Sequence, residues 1–182
     1  MIRTLEDAAP VEGPSTADRF ADIHAAYGPS LERLSRGYER TPEARRDLVQ
    51  EILAAIWRSL PTFDGKASVR TWVFRVAHNV AATHCLRARR SGLARWVSIE
   101  EAAELPGRSD EEAAAGARQS LDRVAELIRT LAPVDRQLVL LFLEGMGPDE
   151  IAEVTGLSAT NVTTKVSRIR AALRARLEGK KR

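Results

Sequence analysis

The chain has 182 residues, of which 44% are hydrophobic and 29% are charged, with a formal net charge of +3. This composition excludes a chain that is disordered throughout and predicts one ordinary domain or two very small helical ones. The single cysteine, Cys85, excludes an intramolecular disulfide and a four-cysteine zinc site. The longest apolar run, 138–143, is too short to cross a bilayer, and the N-terminus lacks the apolar core of a secretory signal. We therefore expect a cytoplasmic protein without direct membrane insertion.

The basic residues are concentrated in two parts of the chain. Seven lie within 65–99, where there is no acidic residue, and eight lie from 158 onward against one glutamate. Clustered lysines and arginines gain affinity for nucleic acid by releasing counterions from phosphates. Two such tracts predict two contacts with a polyanion, of which nucleic acid is the most direct candidate. The alternative is that the tracts are two solvated helix faces.

The N-terminal part predicts a tail followed by two helical segments. Prolines, a glycine and the absence of periodicity predict a mobile tail over 1–16. Either Ser15 or Thr16 can cap the first helix, because apolar residues then recur at helical spacing. The sequence GPS at 28–30 is expected to interrupt this helix before a second segment begins.

The next predicted helix, about 42–60, has two different faces. Its apolar arc is broad enough to pack between two neighbouring helices, and we interpret it as core. The arc consists of Leu48, Val49, Ile52, Leu53, Ile56, Trp57 and Leu60. On the opposite side, Asp47, Gln50, Glu51 and Arg58 form a polar stripe that is left for a partner.

Pro61 is expected to end that helix, and the loop TFDGK then leads into a helix that extends to about residue 90. Aromatic, basic and amide side chains follow one another closely at the start of this helix. Its predicted core side consists of Val69, Val73, Val76, Val80 and Leu86. Beyond it, acidic residues, Pro106 and Gly107 predict a linker, which we place at 93–118.

The C-terminal part predicts four helices, of which the last two have the spacing of a helix-turn-helix. Pro148 opens a short helix, Gly156 permits a tight left-handed turn, and Ser158 caps a long final helix. The exposed side of the final helix presents Thr160, Asn161, Thr164, Lys165 and Arg168. Short polar groups followed by bases suit a helix that enters the DNA major groove by its N-terminal end. An ordinary helical hairpin is the alternative.

The sequence contains no pattern typical of an enzyme or a metal site. His78 and Cys85 lie on one predicted helix about 10 Å apart, too far to share a metal ion. The sequence shows no paired carboxylates in a pocket-forming context, no phosphate-binding glycine loop and no serine–histidine arrangement. We therefore predict a non-enzymatic protein without a cofactor, a metal or a small-molecule substrate.

Three motifs occur in an order that resembles a known family. They are DLVQEILAAIW at 47–57, VRTWVFRVAHN at 69–79 and LAPVDRQLVLLFLEGMGPDEIAEVTGLS at 131–158. Together they resemble the extracytoplasmic-function (ECF) group of sigma factors, over nearly the whole chain. The resemblance implies an all-α protein with two small helical domains, region 2 at 17–92 and region 4 at 119–182, joined by the acidic linker.

The resemblance also implies roles for particular residues. Loop 61–68 would receive a flipped base of the minus-10 element, and Asn79 would help to read it. The implied minus-10 residues are Phe63, Asp64, Lys66, Arg70, Trp72, Arg75, His78 and Asn79. The implied minus-35 residues are Ser158, Thr160, Asn161, Thr164, Lys165 and Arg168. The implied polymerase-binding residues are Asp47, Gln50, Glu51 and Arg58.

The resulting hypothesis is an initiation factor that binds core RNA polymerase and promoter DNA and is held by an anti-sigma factor. A stand-alone helix-turn-helix regulator, with residues 18–90 as a dimerisation or sensing module, is the main alternative. A structural protein that coats RNA or DNA is a more distant one. A sensing module has no need for an exposed acidic and amide stripe followed by a basic, aromatic helix, which favours the initiation factor.

Overall fold

The computed structural model describes residues 15–90 and 117–177, and both ranges are helical. The helices are α1 (Thr16–Tyr38), α2 (Pro42–Ser59), α3 (Val69–Arg90), α4 (Ala117–Thr130), α5 (Pro133–Leu143), α6 (Pro148–Thr155) and α7 (Ala159–Leu177). The predicted all-α fold with two helical units is confirmed. The predicted tail up to residue 14 and the predicted linker up to residue 116 lie outside the described residues. Within the described ranges, no helix is long and apolar enough to span a membrane.

Helix α1 is continuous, so the predicted break at 28–30 is wrong. Its start is the predicted one, because the Ser15 hydroxyl accepts a hydrogen bond from the Asp18 amide and the Asp18 carboxylate accepts one from the Ser15 amide. The proline inside the helix is exposed and removes only one helical hydrogen bond. Burial of Leu31 and Leu34 beyond it keeps the helix in contact with the core.

Helices α1, α2 and α3 pack together as the first helical unit. Thr41 caps α2, and Leu48, Ile52 and Ile56 on its inner side are fully buried. The prediction of Trp57 as core is wrong, since this side chain is 45% exposed. Trp57 lies two turns after the exposed Gln50 and therefore on the same side of α2. This position is at the solvent edge of the apolar arc.

The buried face of α3 differs from the predicted one. Val73 is buried as expected, but Val69 and Leu86 are exposed. The buried side chains of α3 are Thr71, Val73, Phe74, Ala77, His78, Ala81 and Cys85. This face is broader than a two-helix contact needs, because α3 packs against the first unit on one side and against α5 and α6 on the other.

Helices α4 to α7 form the second unit, with the predicted helix-turn-helix in α6 and α7. Pro148 is the first residue of α6, and the Glu150 carboxylate accepts a hydrogen bond from the Gly147 amide. Gly156 ends α6 with a φ of 75°, a conformation that a residue with a side chain rarely adopts. Ser158 then accepts a hydrogen bond from the Asn161 amide, as expected for the cap of α7.

The two units are in direct contact. Gly37 of α1 lies so close to Leu140 of α5 that a Cβ at position 37 would be 2.6 Å from a Leu140 methyl carbon. Beside this contact, the Arg136 guanidinium of α5 lies over the Tyr38 ring at 5.4 Å and is 2% exposed. A side chain at position 37 would therefore require the end of the Leu140 side chain to shift.

Candidate nucleic-acid and partner interfaces

The polar stripe of α2 is exposed. It consists of Asp47, Gln50, Glu51 and Arg58, and each of these residues faces solvent. The Glu51 carboxylate lies 3.7 Å from His84 Nδ1 and 4.0 Å from the Arg87 guanidinium of α3. Glu51 is therefore oriented by α3. Among the described helices, none of the second unit has substantial contact with α2, so the described part of the second unit leaves this surface uncovered.

A shallow groove of about 500 Å³ runs along the edge of this stripe. Trp57 forms one wall and packs edge-on against Phe20 of α1, with 5.2 Å between the ring centroids. Gln50 and Arg58 also line the groove. Sequence reasoning missed Trp57 as a surface residue, although its seven-residue spacing from Gln50 was the signal that could have found it.

The loop between α2 and α3 brings an acid, a base and an aromatic ring together. Asp64 accepts hydrogen bonds from the Lys66 amide at 3.1 Å and ion-pairs with the Lys66 ammonium at 2.7 Å. These contacts with Lys66 lower the pKa of Asp64. Gly65 has a φ of 73°, which allows the turn between them. Phe63 lies against Trp72 of α3, with 4.9 Å between the ring centroids.

The structure separates the predicted minus-10 residues of α3 into two groups. Asn79 is exposed, and Trp72, two turns before it, is half-buried. Arg70 and Arg75 instead contact the second unit. The Arg70 guanidinium donates to the Glu144 backbone oxygen, and that of Arg75 donates to the Glu153 backbone oxygen at 2.9 Å.

His78, which was predicted to meet the DNA backbone, lies in the core and is 1% exposed. Its Nδ1 atom is 2.9 Å from the Tyr38 hydroxyl, and its Nε2 has no hydrogen-bond partner among the described residues. Burial lowers the pKa of His78 to about 3, so the ring is neutral. Burial thus places His78 out of reach of DNA in this structure and gives it a packing role.

The buried neutral histidine predicts a pH-dependent stability. The pKa of His78 is about 3 in the folded protein and 6.5 when unperturbed, so the unfolded chain takes up a proton first as the pH falls. The contribution of the neutral His78 ring to the free energy of unfolding is therefore present above pH 6.5 and decreases as the pH falls below that value. Between pH 6.5 and pH 5, wild type should lose about 1.5 kcal/mol more unfolding free energy than His78→Asn.

Urea denaturation at several pH values measures this difference. His24→Asn removes an exposed histidine of α1 and is the matched control, which should follow the wild-type pH dependence. If His78→Asn and wild type lose stability in parallel between those two pH values, His78 is not a buried neutral group.

The recognition face of α7 is exposed at its N-terminal end. Thr160, Asn161, Thr164 and Arg168 all face solvent. Lys165 differs from them, because its ammonium lies 2.9 Å from the carboxylate of Asp135, which is 6% exposed. Lys165 therefore compensates a buried charge, and 42% of its side chain remains exposed.

Comparison with known proteins identifies the two units. Residues 23–91 match sigma-70 region 2, and residues 121–173 match sigma-70 region 4. Over 166 residues the chain is 31% identical to the RNA polymerase sigma factor CnrH of Cupriavidus metallidurans, covering 87% of this chain and 86% of CnrH. The chain belongs to the sigma-70 family. Its two domains make it an ECF-type sigma factor, as the sequence motifs indicated.

Two solved structures have a similar fold. CnrH in complex with the cytosolic domain of CnrY has a TM-score of 0.61 and 26% identity and covers 87% of each chain. The sigma factor RpoE of Bartonella quintana, in complex with the anti-sigma factor NepR, has a TM-score of 0.64 and 17% identity. That alignment covers 90% of this chain and 99% of RpoE, and at this identity it supports the fold alone.

Family membership establishes the general function. The protein is a non-enzymatic sigma factor that directs promoter-specific transcription initiation by RNA polymerase. Sigma factors bind core RNA polymerase and promoter DNA, and this role favours the initiation factor over the stand-alone regulator. The first unit, α1 to α3, is region 2, and the second unit, α4 to α7, is region 4.

Proposed function

We propose that this sigma factor uses three separate surfaces for polymerase, the minus-10 element and the minus-35 element. The main support for the proposal is the exposed N-terminal face of α7. This helix follows the Gly156 turn and is the second helix of a helix-turn-helix. The proposed boundaries are 17–92 for region 2, 93–118 for the linker and 119–182 for region 4.

The polymerase contact is assigned to the α2 stripe. Asp47, Gln50 and Glu51 offer acceptor groups on one open face, and Arg58 adds a cation at its C-terminal end. Trp57 extends this face with apolar surface, in the manner of the aromatic anchors that dominate protein interfaces. The combination of a charged stripe with an exposed tryptophan supports a protein partner more than a solvated helix face.

The minus-10 contact is assigned to the 61–68 loop and the start of α3. Phe63 and Trp72 form an aromatic pair on which an unstacked base can rest, and Asn79 can hydrogen-bond to a base edge. Lys66 is positioned by Asp64 and supplies a cation for the DNA backbone. His78 is left out of this interface because it is buried.

The minus-35 contact is assigned to α7, and Arg168 is its clearest probe. Lys165→Ala would also remove the partner of the buried Asp135, so a loss of DNA binding there would mix two causes. Arg168 is exposed on the same helix. We expect Arg168→Ala to reduce affinity for the upstream element by about 1–3 kcal/mol if the guanidinium reads a base.

Footprinting of the polymerase complex over the minus-35 region measures this effect. Arg36→Ala removes the same charge from an exposed position of α1 and should leave the upstream footprint unchanged. Full upstream protection and unaltered sequence preference with Arg168→Ala would assign the exposed face of α7 to another role.

We also propose that the protein acts in the cytoplasm and is controlled by an anti-sigma factor. The solved structure of CnrH, which is 26% identical to this chain, holds the cytosolic domain of the anti-sigma factor CnrY, and polymerase binding requires the protein to be where transcription occurs. Co-purification from the native cell tests both statements, with core polymerase and a bound inhibitor as the expected partners.

A further inference from the structure

His84 lies where the three helices of region 2 meet, and its side chain is 24% exposed. It belongs to α3, and its Nε2 atom lies 2.9 Å from the carboxylate of Glu39, the residue that caps the C-terminal end of α1. Its Nδ1 atom lies 3.7 Å from the carboxylate of Glu51 on α2. One imidazole ring therefore faces two carboxylates, and one of them belongs to the polar stripe proposed to bind polymerase.

Two side chains of α3, His84 and Arg87, face the Glu51 carboxylate. The Arg87 guanidinium lies 4.0 Å from it and the Arg87 side chain is 68% exposed, so water screens this pair and its contribution is small. His84 is closer to Glu51 and more buried than Arg87. A charge on the His84 ring therefore has the stronger influence on the direction of the Glu51 side chain.

The other carboxylate, that of Glu39, is a constant partner of the His84 ring. Arg45 of α2 donates to the Glu39 backbone oxygen and not to this carboxylate. Cys85 follows His84 on α3, and burial raises the pKa of its thiol, which is therefore uncharged at neutral pH. The Arg136 guanidinium of α5 lies 3.2 Å from the Cys85 sulfur. Of the two carboxylates that face His84, Glu51 is thus the one that can change its direction, since it is 45% exposed and Glu39 only 21%.

The two ring nitrogens of His84 require different protonation states for their contacts. A neutral imidazole carries one N–H, an imidazolium carries two, and a carboxylate only accepts. The 2.9 Å separation is that of a hydrogen bond, so in the neutral ring Nε2 holds the proton and donates to Glu39. Nδ1 then turns a lone pair toward the Glu51 carboxylate, which is unfavourable. In the protonated ring Nδ1 is also a donor, and Glu51 is attracted to α3.

We propose that His84 is a positioning residue for the polymerase contact, because the charge of its ring sets the direction of the Glu51 side chain. With a neutral ring, Glu51 turns toward the α2 stripe and can accept hydrogen bonds from polymerase. With a protonated ring, Glu51 is held against α3 and its charge is compensated within region 2. Histidine changes its charge between about pH 5 and pH 8, so affinity for core polymerase should decrease as the pH falls through that range. This inference rests on the proposed polymerase contact of Glu51.

The position of the ring proton in the free protein tests the geometry without polymerase. Magnetic resonance spectra that correlate the ring protons with the ring nitrogens distinguish the two neutral tautomers, and His84→Gln identifies the His84 signals by their loss. At about pH 8 we expect the proton on Nε2, and on acidification a second proton on Nδ1. A neutral ring with its proton on Nδ1 would overturn the proposal, because such a ring donates to Glu51 without being charged.

Titration of core polymerase with wild type and His84→Gln tests the consequence for binding. The glutamine amide can replace the Nε2 donor to Glu39 but stays uncharged at every pH. The dissociation constant of wild type, divided by that of His84→Gln, should rise about threefold between about pH 8 and about pH 5.5, which is the size of one partly exposed ion pair. Both proteins are compared at the same pH, so the pH dependence of polymerase itself cancels. Loss of packing alone would change the ratio equally at both pH values.

Glu51→Gln distinguishes a failure of this inference from a failure of the proposed function. It removes the carboxylate that His84 is proposed to direct, so in this background the effect of His84→Gln should be the same at both pH values. Wild-type affinity of Glu51→Gln at about pH 8 would show that the proposed polymerase contact of Glu51 is wrong, and this inference would fall with it. If Glu51→Gln weakens binding but the ratio of wild type to His84→Gln does not change with pH, the contact stands and positioning by His84 is overturned.

Discussion

Positive charge introduced on the open face of α2 should abolish tight binding to core RNA polymerase. In Asp47→Lys/Gln50→Lys, two lysines replace an acceptor pair at the centre of the proposed interface. Opposed like charges at an interface cost several kcal/mol, so we expect a loss of at least about a hundredfold in affinity. We leave Glu51 unchanged, because its contacts with His84 and Arg87 also support the packing of α2 on α3.

Titration of labelled protein with core polymerase measures this affinity. Glu32→Lys on α1 reverses the charge at an exposed site away from α2 and should bind like wild type. The circular dichroism spectrum should match that of wild type in both variants, since neither change touches the core. Wild-type affinity in the double variant would show that polymerase contacts another surface of region 2.

Loss of the Asn79 amide should impair promoter opening and leave earlier steps intact. Asn79 is exposed on α3, two turns after Trp72, and belongs to neither the α2 stripe nor the exposed face of α7, so Asn79→Ala should not alter polymerase binding or the upstream footprint. The variant loses hydrogen bonds to an extruded base, which are worth about 1–3 kcal/mol. We therefore expect opening to decrease about tenfold or more on duplex promoter DNA.

A fluorescent base analogue in the non-template strand reports opening. On a template that is already mismatched across the minus-10 element, the deficit should shrink, because that DNA has lost the pairing that resists base extrusion. Thr83→Ala, one turn further along α3, is the matched control, since its hydroxyl is bonded within the helix to the Asn79 backbone oxygen. Equal opening of duplex DNA by Asn79→Ala and wild type would make Asn79 a structural residue.

The sequence alone was sufficient where the determining interactions are local. Ser15, Pro148 and Gly156 act within one helical turn, so their roles in capping and turning could be predicted and were confirmed. The ordered motifs identified the family for the same reason, because short segments carry them intact. The GPS sequence at 28–30 shows the limit of local signals, since burial of residues beyond it outweighed one lost hydrogen bond.

Only the tertiary structure decided which side of each helix is covered. A periodic pattern shows that α3 has an apolar side, but the extent of its burial depends on neighbours in both helical units, and these neighbours placed His78 inside. The pairing of Lys165 with Asp135 joins residues that are 30 positions apart. The arginine–glutamate pairs between regions 2 and 4 join residues up to 111 positions apart, and no local pattern contains such contacts because they form only when separate helices meet.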